Sequence, residues 1–188
     1  MTKLAVMVSG TGSILEAMIA AGLDITLVVA DRPCRGLVIA RQAGLATQLI
    51  SRTDFGRPID RAAYTAAVAD TLAAHGIGLV AMAGFMTILS ESIFERFPGK
   101  ILNTHPSLLP AFKGDHAVQD ALDYGVKLTG CTIHIATPEL DNGPILAQAS
   151  VPVNVGDDAT TIQERIKQVE RQLYPALIKE LIAKETLV

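Results

Sequence analysis

The chain contains several short runs of consecutive apolar residues, separated by segments in which apolar residues recur every three or four positions. Short apolar runs are typical of strands buried on both faces of a sheet, and the longer periodic segments are typical of amphipathic helices. The predicted strands are Leu4–Val8, Ile25–Ala30, Thr47–Ile50, Leu79–Ala83 and a strand that starts at Ile101. Because these strands alternate with helices, the sequence predicts a largely parallel sheet.

The predicted helices end at glycines, prolines or polar capping residues. They are, in chain order, Ile14–Gly22, Gly36–Ala43, Arg57–His75, Ser90–Phe97, Asp115–Tyr124 and Asp158–Ala183. Ser90 is the expected N-terminal cap of its helix. Pro175 lies within the last helix, so a kink or a break is expected near Tyr174.

The C-terminal half adds a different strand pattern. Leu128–Ile135 alternates between apolar and polar residues, and Pro144–Val153 follows as its natural hairpin partner. Pro152 cannot donate a ladder hydrogen bond, which indicates an edge strand. The sequence therefore predicts a three-layer α/β fold, with helices on both faces of a mixed, mainly parallel sheet.

Composition and charge argue against several classes of function. The 188 residues fit one domain, 1–188, and a net charge of −3 with 4% aromatic residues gives no basis for nucleic-acid binding. The N-terminal apolar run is too short for a signal peptide, and no run approaches the ~20 residues of a membrane span. We therefore expect a cytoplasmic protein without membrane partners. Cys34 and Cys131 are far apart in sequence, so free thiols are expected.

A glycine-rich segment, Ser9–Ser13, connects the first strand to the first helix. This order directs free backbone N–H groups and the positive end of the helix dipole at an anion. Leu15 stands where the dinucleotide fingerprint has its third glycine, so the segment favours the phosphate of a mononucleotide-like ligand over a dinucleotide. The alternative is a tight turn that binds no ligand. Ser13 either caps the helix or donates its hydroxyl to the phosphate. Asp31 is either a ribose ligand or a turn residue before Pro33.

The candidate chemistry centres on the strand that starts at Ile101. Asn103 and His105 are two residues apart, so they face the same side of extended backbone, and Pro106 and Pro110 then end the regular structure. Ligands of open α/β sheets bind beyond the ends of strands. The alternative is a structural histidine beside a turn-forming asparagine.

Asp141 adds a carboxylate in the predicted hairpin turn. An amide, an imidazole and a carboxylate suit acyl transfer to an amine without a covalent enzyme intermediate. The sequence lacks a Gly-x-Ser-x-Gly elbow and a visible cluster of metal ligands. We interpret His116 as a surface residue and His134 as a structural residue, with a substrate-facing or catalytic role as the alternative for each. The apolar loop Gly84–Leu89 either packs inward or walls a pocket.

Six segments resemble the formyltetrahydrofolate-dependent formyltransferases, and they follow the family's order along nearly the whole chain. They are SGTGS at Ser9–Ser13, AGFMTIL at Ala83–Leu89, NTHPSLLPAFKG from Asn103, TGCTIH at Thr129–His134, LDNGPILAQ at Leu140–Gln148 and ERIKQVERQLYP at Glu164–Pro175. The proline motif is shared across the superfamily. The first and last segments are more specific to the branch that acts on phosphoribosylglycinamide in de novo purine biosynthesis. Other branches carry an additional domain, which we do not expect in a chain of 188 residues.

The resemblance implies a Rossmann-like formyltransferase fold and direct transfer of a formyl group, through a tetrahedral intermediate, from 10-formyltetrahydrofolate to the glycyl amine, without a metal. Asn103 would hold the oxyanion, His105 would donate a proton, and Asp141 would favour the protonated ring and order a water. The implied residues for phosphoribosylglycinamide are Gly12, Ser13, Ile14, Lys167, Gln168, Val169 and Glu170. The implied residues for folate are Arg61, Met86, Thr87, Ile88, Leu89, Asn103, Thr137, Pro138, Glu139, Leu140 and Asp141.

Two positions depart from the family pattern. Ile14 stands where asparagine is common, which keeps the backbone donors and removes a side-chain contact. Thr87 stands where arginine is common, so a short hydroxyl replaces a charged donor. Three other functions stay open: formyl transfer to another small amine, a Rossmann-like nucleotide-binding module without catalysis, and an oxidoreductase. The incomplete dinucleotide fingerprint makes the oxidoreductase the weakest of them. The expected partners are small-molecule substrates, and the expected assembly is a monomer or a homodimer.

Overall fold

A computed structural model of the protein describes residues 2–52 and 60–184. Its strands are β1 (Leu4–Val8), β2 (Ile25–Ala30), β3 (Thr47–Leu49), β4 (Leu79–Met82), β5 (Ile101–His105), β6 (Leu128–Ile135) and β7 (Ile145–Pro152). They form one sheet in the order β3-β2-β1-β4-β5-β6-β7. Neighbouring strands from β3 to β5 are parallel, and the β5–β6 and β6–β7 pairs are antiparallel. The predicted mixed, mainly parallel sheet is confirmed.

Six helices in the described residues cover this sheet. They are α1 (Ser13–Ala20), α2 (Arg35–Gln42), α3 (Arg61–Ala74), α4 (Ser92–Arg96), α5 (Ala117–Tyr124) and α6 (Ala159–Ala183). Successive side chains of a strand face opposite sides of the sheet. Leu4, Val6 and Val8 of β1 accordingly pack with α1, α2 and α6, whereas Ala5 and Met7 pack with α3 and α4. Burial on both faces explains the uninterrupted apolar run and produces the predicted three layers.

One expectation about a helix end is wrong, and of the kink or break expected at Pro175 only the break is excluded. Helix α4 begins at Ser92 with Glu91 at the cap position, and no side chain caps it. Ser90 lies before this helix, and its backbone N–H donates to Thr65 Oγ1 on α3 at 2.9 Å. Helix α6 continues past Pro175 to Ala183 as one element, so the proline does not break it.

The starts of α1 and α3 refine the predicted bounds. Gly12 is the N-cap of α1, and no side chain forms a capping bond there, so the capping role expected of Ser13 is wrong. Ser13 is instead the first residue of the helix. Helix α3 begins at Arg61, and the predicted start at Arg57 lies outside the described residues.

The sheet edge and the cysteines agree with the sequence. Strand β7, which ends at Pro152, is the outermost strand next to β6. Cys34 and Cys131 are both free thiols. Among the helices of residues 2–52 and 60–184, none has the length and apolar character needed to span a membrane.

The strand order changes direction at β1. The chain passes from β1 to β2 on one side, and later to β4 on the other side. The carboxyl ends of β1, β4 and β5 therefore lie together at one edge of the sheet, with a crevice between the connections that leave them. In open α/β folds this crevice is where ligands bind.

Candidate active site

A cleft of about 840 Å³ opens at this edge of the sheet. The glycine loop, the β4–α4 loop, the end of β5, the β6–β7 turn and one side of α6 line it. The predicted site residues in the lining are Gly12, Ser13, Ile14, Met86, Thr87, Ile88, Leu89, Asn103, His105, Thr137, Pro138, Glu139, Leu140, Asp141, Lys167 and Glu170. Arg61, Gln168 and Val169 are not in the lining: Arg61 and Gln168 are exposed, and Val169 packs against a core cluster.

His105, at the end of β5, lies between two hydrogen-bond acceptors. Its Nδ1 is 3.2 Å from Asp141 Oδ2, and its Nε2 is 2.8 Å from the backbone oxygen of Phe112. The ring is almost fully buried. Because a carboxylate and a carbonyl only accept hydrogen bonds, the ring satisfies both when both nitrogens carry hydrogen. The ring is thus held by one acceptor at each nitrogen.

The backbone around Asp141 fixes its carboxylate in the cleft. Asp141 has φ 50°, a left-handed conformation that aspartate tolerates better than most residues. Two residues later, a Cβ on Gly143 would lie 1.7 Å from the oxygen of Ile135, so only glycine fits this turn. The backbone N–H of Gly114 donates to Asp141 Oδ2 at 2.9 Å. Phe112, whose carbonyl holds His105, also has a positive φ, of 52°.

The surroundings of Asp141 keep it ionised. Burial raises the pKa of its carboxyl group, but the His134 ring, the Gly114 N–H and the charge of His105 together lower it by more. The pKa of Asp141 therefore lies below its ordinary value of 3.8. Because this pKa is lower in the folded state than in the unfolded state, the ionised carboxylate stabilises the fold at pH values above its ordinary pKa. That stabilisation is lost as the pH falls through the pKa of the folded state.

His134 is part of the same cluster. Asn103 and His134 are directly opposite each other in the β5–β6 ladder. The amide nitrogen of Asn103 is 3.3 Å from His134 Nε2, and His134 Nδ1 is 3.0 Å from the oxygen of Ile135. With hydrogen on Nδ1 the ring donates to this carbonyl and its Nε2 accepts from Asn103, whereas hydrogen on Nε2 lets the ring donate to Asp141. His134 Nε2 is also 3.7 Å from Asp141 Oδ1. The ring therefore lies beside two members of the predicted catalytic trio, which consists of Asn103, His105 and Asp141.

The glycine loop brings the N-terminus of α1 into the cleft. Gly12 has φ 73°, and a Cβ at this position would lie 2.7 Å from the Cα of Gly36 in α2. The first N–H groups of a helix have no partner inside it, so they are available to an anion. Ile14 is 8% exposed and packs into the core, so its backbone is the part available to a ligand.

Helix α6 supplies a polar wall opposite the sheet. Gln163, Lys167 and Glu170 line the cleft at helical spacing. Glu170 is 4% exposed, and its Oε1 accepts a hydrogen bond from Thr104 Oγ1 at 2.7 Å. Burial raises the pKa of Glu170, although the bond from Thr104 and the nearby Lys167 counteract this. Sequence reasoning missed Gln163, which lies one helical turn before Lys167.

Three of the predicted folate residues form an apolar part of the cleft. Met86 and Ile88 of the β4–α4 loop and Leu140 of the β6–β7 turn are large apolar side chains that are more than half exposed. The Met86 N–H donates to Ser9 Oγ at 2.8 Å, which joins this loop to the glycine loop. Exposed apolar side chains that line a concave surface are suited to a flat, largely apolar ligand.

Two further expectations concern histidines and metals. His116 is at the N-cap of α5 with its side chain 78% exposed, as expected of a surface residue. Among residues 2–52 and 60–184, no group of three or more histidines, cysteines or carboxylates is arranged to hold a metal ion.

Comparison with known proteins identifies the family. Residues 2–178 match the family described as Formyl transferase. Phosphoribosylglycinamide formyltransferase of Mycobacterium tuberculosis (strain ATCC 25618 / H37Rv) is 45% identical over 184 residues, 95% of this chain and 84% of that protein. The Bacillus subtilis (strain 168) protein of the same name is 35% identical over 188 residues, 97% of this chain and 95% of that protein.

Solved structures agree in fold. The crystal structure of glycinamide ribonucleotide transformylase 1 from Symbiobacterium toebii has a TM-score of 0.92 at 38% identity, and the match covers 100% of this chain and 90% of that chain. Phosphoribosylglycinamide formyltransferase from Anaplasma phagocytophilum has a TM-score of 0.89 at 40% identity, with 98% and 88% coverage. The chain therefore belongs to the formyl transferase family.

Proposed function

We propose that this protein transfers a formyl group from 10-formyltetrahydrofolate to the glycyl amine of 5'-phosphoribosylglycinamide, a step of de novo purine biosynthesis. The observation that carries the proposal is the convergence of Asn103, His105 and Asp141 between an anion-binding loop and an apolar wall. The relatives' names support phosphoribosylglycinamide as the acceptor of the formyl group. We expect one cytoplasmic domain, 1–188, that acts as a monomer or a homodimer.

The trio supplies what formyl transfer to an amine requires. When the amine nitrogen bonds to the formyl carbon, the carbonyl oxygen gains negative charge, and the Asn103 amide is a donor for that oxygen. His105, between Asp141 and the Phe112 carbonyl, moves a proton as the carbon–nitrogen bond to the folate breaks. The proton lost by the attacking amine balances the one gained by the leaving folate nitrogen. The ionised Asp141 stabilises the charged form of the ring, the form from which the proton is donated.

The two ends of the cleft suit the two substrates. The N-terminus of α1 at Gly12 and Ser13 offers backbone N–H groups and a positive dipole to the phosphate. The buried Glu170 accepts hydrogen bonds, which suits the ribose hydroxyls. Met86 and Ile88 suit the flat ring system of the folate on the opposite side.

The direct test is a transfer assay on the purified full chain. With phosphoribosylglycinamide and 10-formyltetrahydrofolate carrying an isotopically labelled formyl group, we expect one labelled formyl group on the amine for each tetrahydrofolate released. A non-catalytic nucleotide-binding module gives no labelled product, although a ligand at 100 times its Kd still stabilises the fold by about 2.7 kcal/mol. Preferential labelling of another small amine indicates a different member of the family.

A substitution at Gly12 tests whether the substrate phosphate binds at the N-terminus of α1. Alanine there combines a left-handed backbone with a Cβ 2.7 Å from Gly36 Cα, so the N-terminus of α1 must shift. We expect Gly12→Ala to raise KM for phosphoribosylglycinamide by about tenfold or more and to leave KM for the folate nearly unchanged, as measured by steady-state kinetics. Gly22→Ala is the matched control, because Gly22 also has φ 73° but has no atom within 4 Å of the added Cβ. Equal effects of the two variants on KM contradict the placement of the phosphate.

Asp141→Asn tests charge separately from shape. Asparagine tolerates the left-handed backbone and keeps the volume, but it no longer stabilises a charged ring at His105. An opposite charge at this distance favours the charged form of a group by roughly 10- to 1000-fold. Since this stabilisation of the charged ring is lost, we expect kcat to fall by roughly 10- to 1000-fold, as measured by steady-state kinetics. A nearly normal kcat in folded Asp141→Asn contradicts the electrostatic role.

A further inference from the structure

The β4–α4 loop alternates between the cleft and the protein interior. All five residues from Phe85 to Leu89 border the cleft, but Met86 and Ile88 are 60% and 51% exposed, whereas Phe85, Thr87 and Leu89 are 7%, 1% and 6% exposed. Phe85 and Leu89 are apolar residues that pack into the core beneath the loop. Thr87 is the polar residue between them, so its hydroxyl needs a buried partner. The surface that the loop presents to a ligand depends on which residues are held inside.

The partner of Thr87 is a carboxylate from another strand. Thr87 Oγ1 donates to Asp31 Oδ2 at 2.8 Å, and Asp31 is fully buried at the end of β2. Arg32 donates to the same carboxylate from Nε and Nη2, both at 3.0 Å, which compensates its charge. Strand β1 separates β2 from β4 in the sheet, so this bond ties the loop across the end of β1. Asp31 is therefore neither an exposed ribose ligand nor only a turn residue.

The loop has a second attachment besides Thr87, and this attachment lies at the end of β1. The Met86 N–H donates to Ser9 Oγ at the end of β1, and the Ser9 N–H donates to the oxygen of Gly84. These bonds hold the near side of the loop over β1. The bond between Thr87 and Asp31 holds the far side, where Ile88 turns back toward the cleft.

We infer that Asp31 and Thr87 are positioning residues for the folate co-substrate, because their hydrogen bond fixes the β4–α4 loop with Met86 and Ile88 facing the cleft. The inference rests on the proposed function for the identity of the ligand. Neither side chain touches the reacting atoms. Loss of the bond therefore weakens the folate end of the site and leaves the phosphate end and the chemical step intact.

The test is Thr87→Val, which keeps the side-chain shape and removes the donor. A hydrogen bond to a charged group is worth about a factor of ten or more in an equilibrium constant. We expect about a tenfold rise in KM and in the calorimetric Kd for 10-formyltetrahydrofolate, with kcat and KM for phosphoribosylglycinamide within about twofold of wild type. Thr87→Ser restores the hydroxyl, so both constants return to near wild type.

Thr129→Val is the matched control. Thr129 is a buried threonine on β6 outside the cleft lining, and its hydroxyl has no hydrogen-bond partner in the described part of the chain. This variant leaves both substrate constants unchanged. An unchanged folate KM and Kd in Thr87→Val, or equal shifts in the two valine variants, overturns the inference.

Asp31→Asn changes the acceptor of the same hydrogen bond, and it is the alternative test if Thr87→Val does not fold. It places an amide N–H against Thr87 or Arg32, so the folate KM rises as well. In the double variant Asp31→Asn/Thr87→Val, the rise is smaller than the product of the two single rises, since both remove one interaction. A normal folate KM in Asp31→Asn, or a fully multiplicative double variant, overturns the inference. Calorimetry separates the two hypotheses: a wild-type chain that binds folate without transferring formyl contradicts the proposed function only.

Discussion

His105→Ala lowers kcat for formyl transfer by roughly 100- to 10,000-fold, the range that a positioned acid–base group contributes. Asp141 and the Phe112 carbonyl hold the ring at the end of β5, and in the proposed mechanism this ring carries the proton. Alanine leaves the N-terminus of α1 and the apolar wall in place. We therefore expect KM for both substrates to change by much less than kcat, which steady-state kinetics measures directly.

This prediction needs a control for folding, because His105 is buried and makes two polar contacts. The unfolding midpoint of the variant establishes that the fold persists. His75→Ala is a matched histidine substitution at the exposed end of α3, and it retains wild-type turnover. If folded His105→Ala transfers formyl at nearly the normal rate, His105 is a structural residue.

Asn103→Ala lowers kcat by roughly 100- to 1000-fold, the usual cost of removing one oxyanion donor. One amide hydrogen of Asn103 is directed to His134 Nε2, 3.3 Å away, which orients the amide and leaves the other for the developing oxyanion. Asn103→Asp keeps the shape but has no donor when ionised, so its kcat falls at least as far. An aspartate variant with nearly normal kcat contradicts the oxyanion role. If KM stays near the wild-type value in both variants, Asn103 stabilises the transition state and does not contribute to substrate binding in the ground state.

The architecture follows from the sequence because its physical causes are local. A strand buried on both faces must be apolar throughout, as in Leu4–Val8, and the central strands β1, β2 and β4 each carry such a run. The errors concern element ends, where tertiary contacts compete with local preference. Ser90 is a good capping residue, but its N–H is used by Thr65, and the helix starts after it.

The candidate site is predictable only in part. Asn103 and His105 are adjacent on one strand, so their spacing alone places them on one side. His134 requires the register of two strands that are distant in sequence, because it joins the site through its place opposite Asn103. Its position on the polar face of an alternating strand was the available signal. The partner of Thr87 depends in the same way on the approach of β2 to the β4–α4 loop.

The most direct test of the catalytic trio is kcat for the double variant Asn103→Ala/His105→Ala, measured beside both single variants. If the two residues act on one transition state in this cleft, the double variant loses less than the product of the two single losses. The unfolding midpoint of each variant must show an intact fold. The account predicts this smaller loss; a loss equal to the full product, or nearly normal transfer in any of the three folded variants, contradicts it.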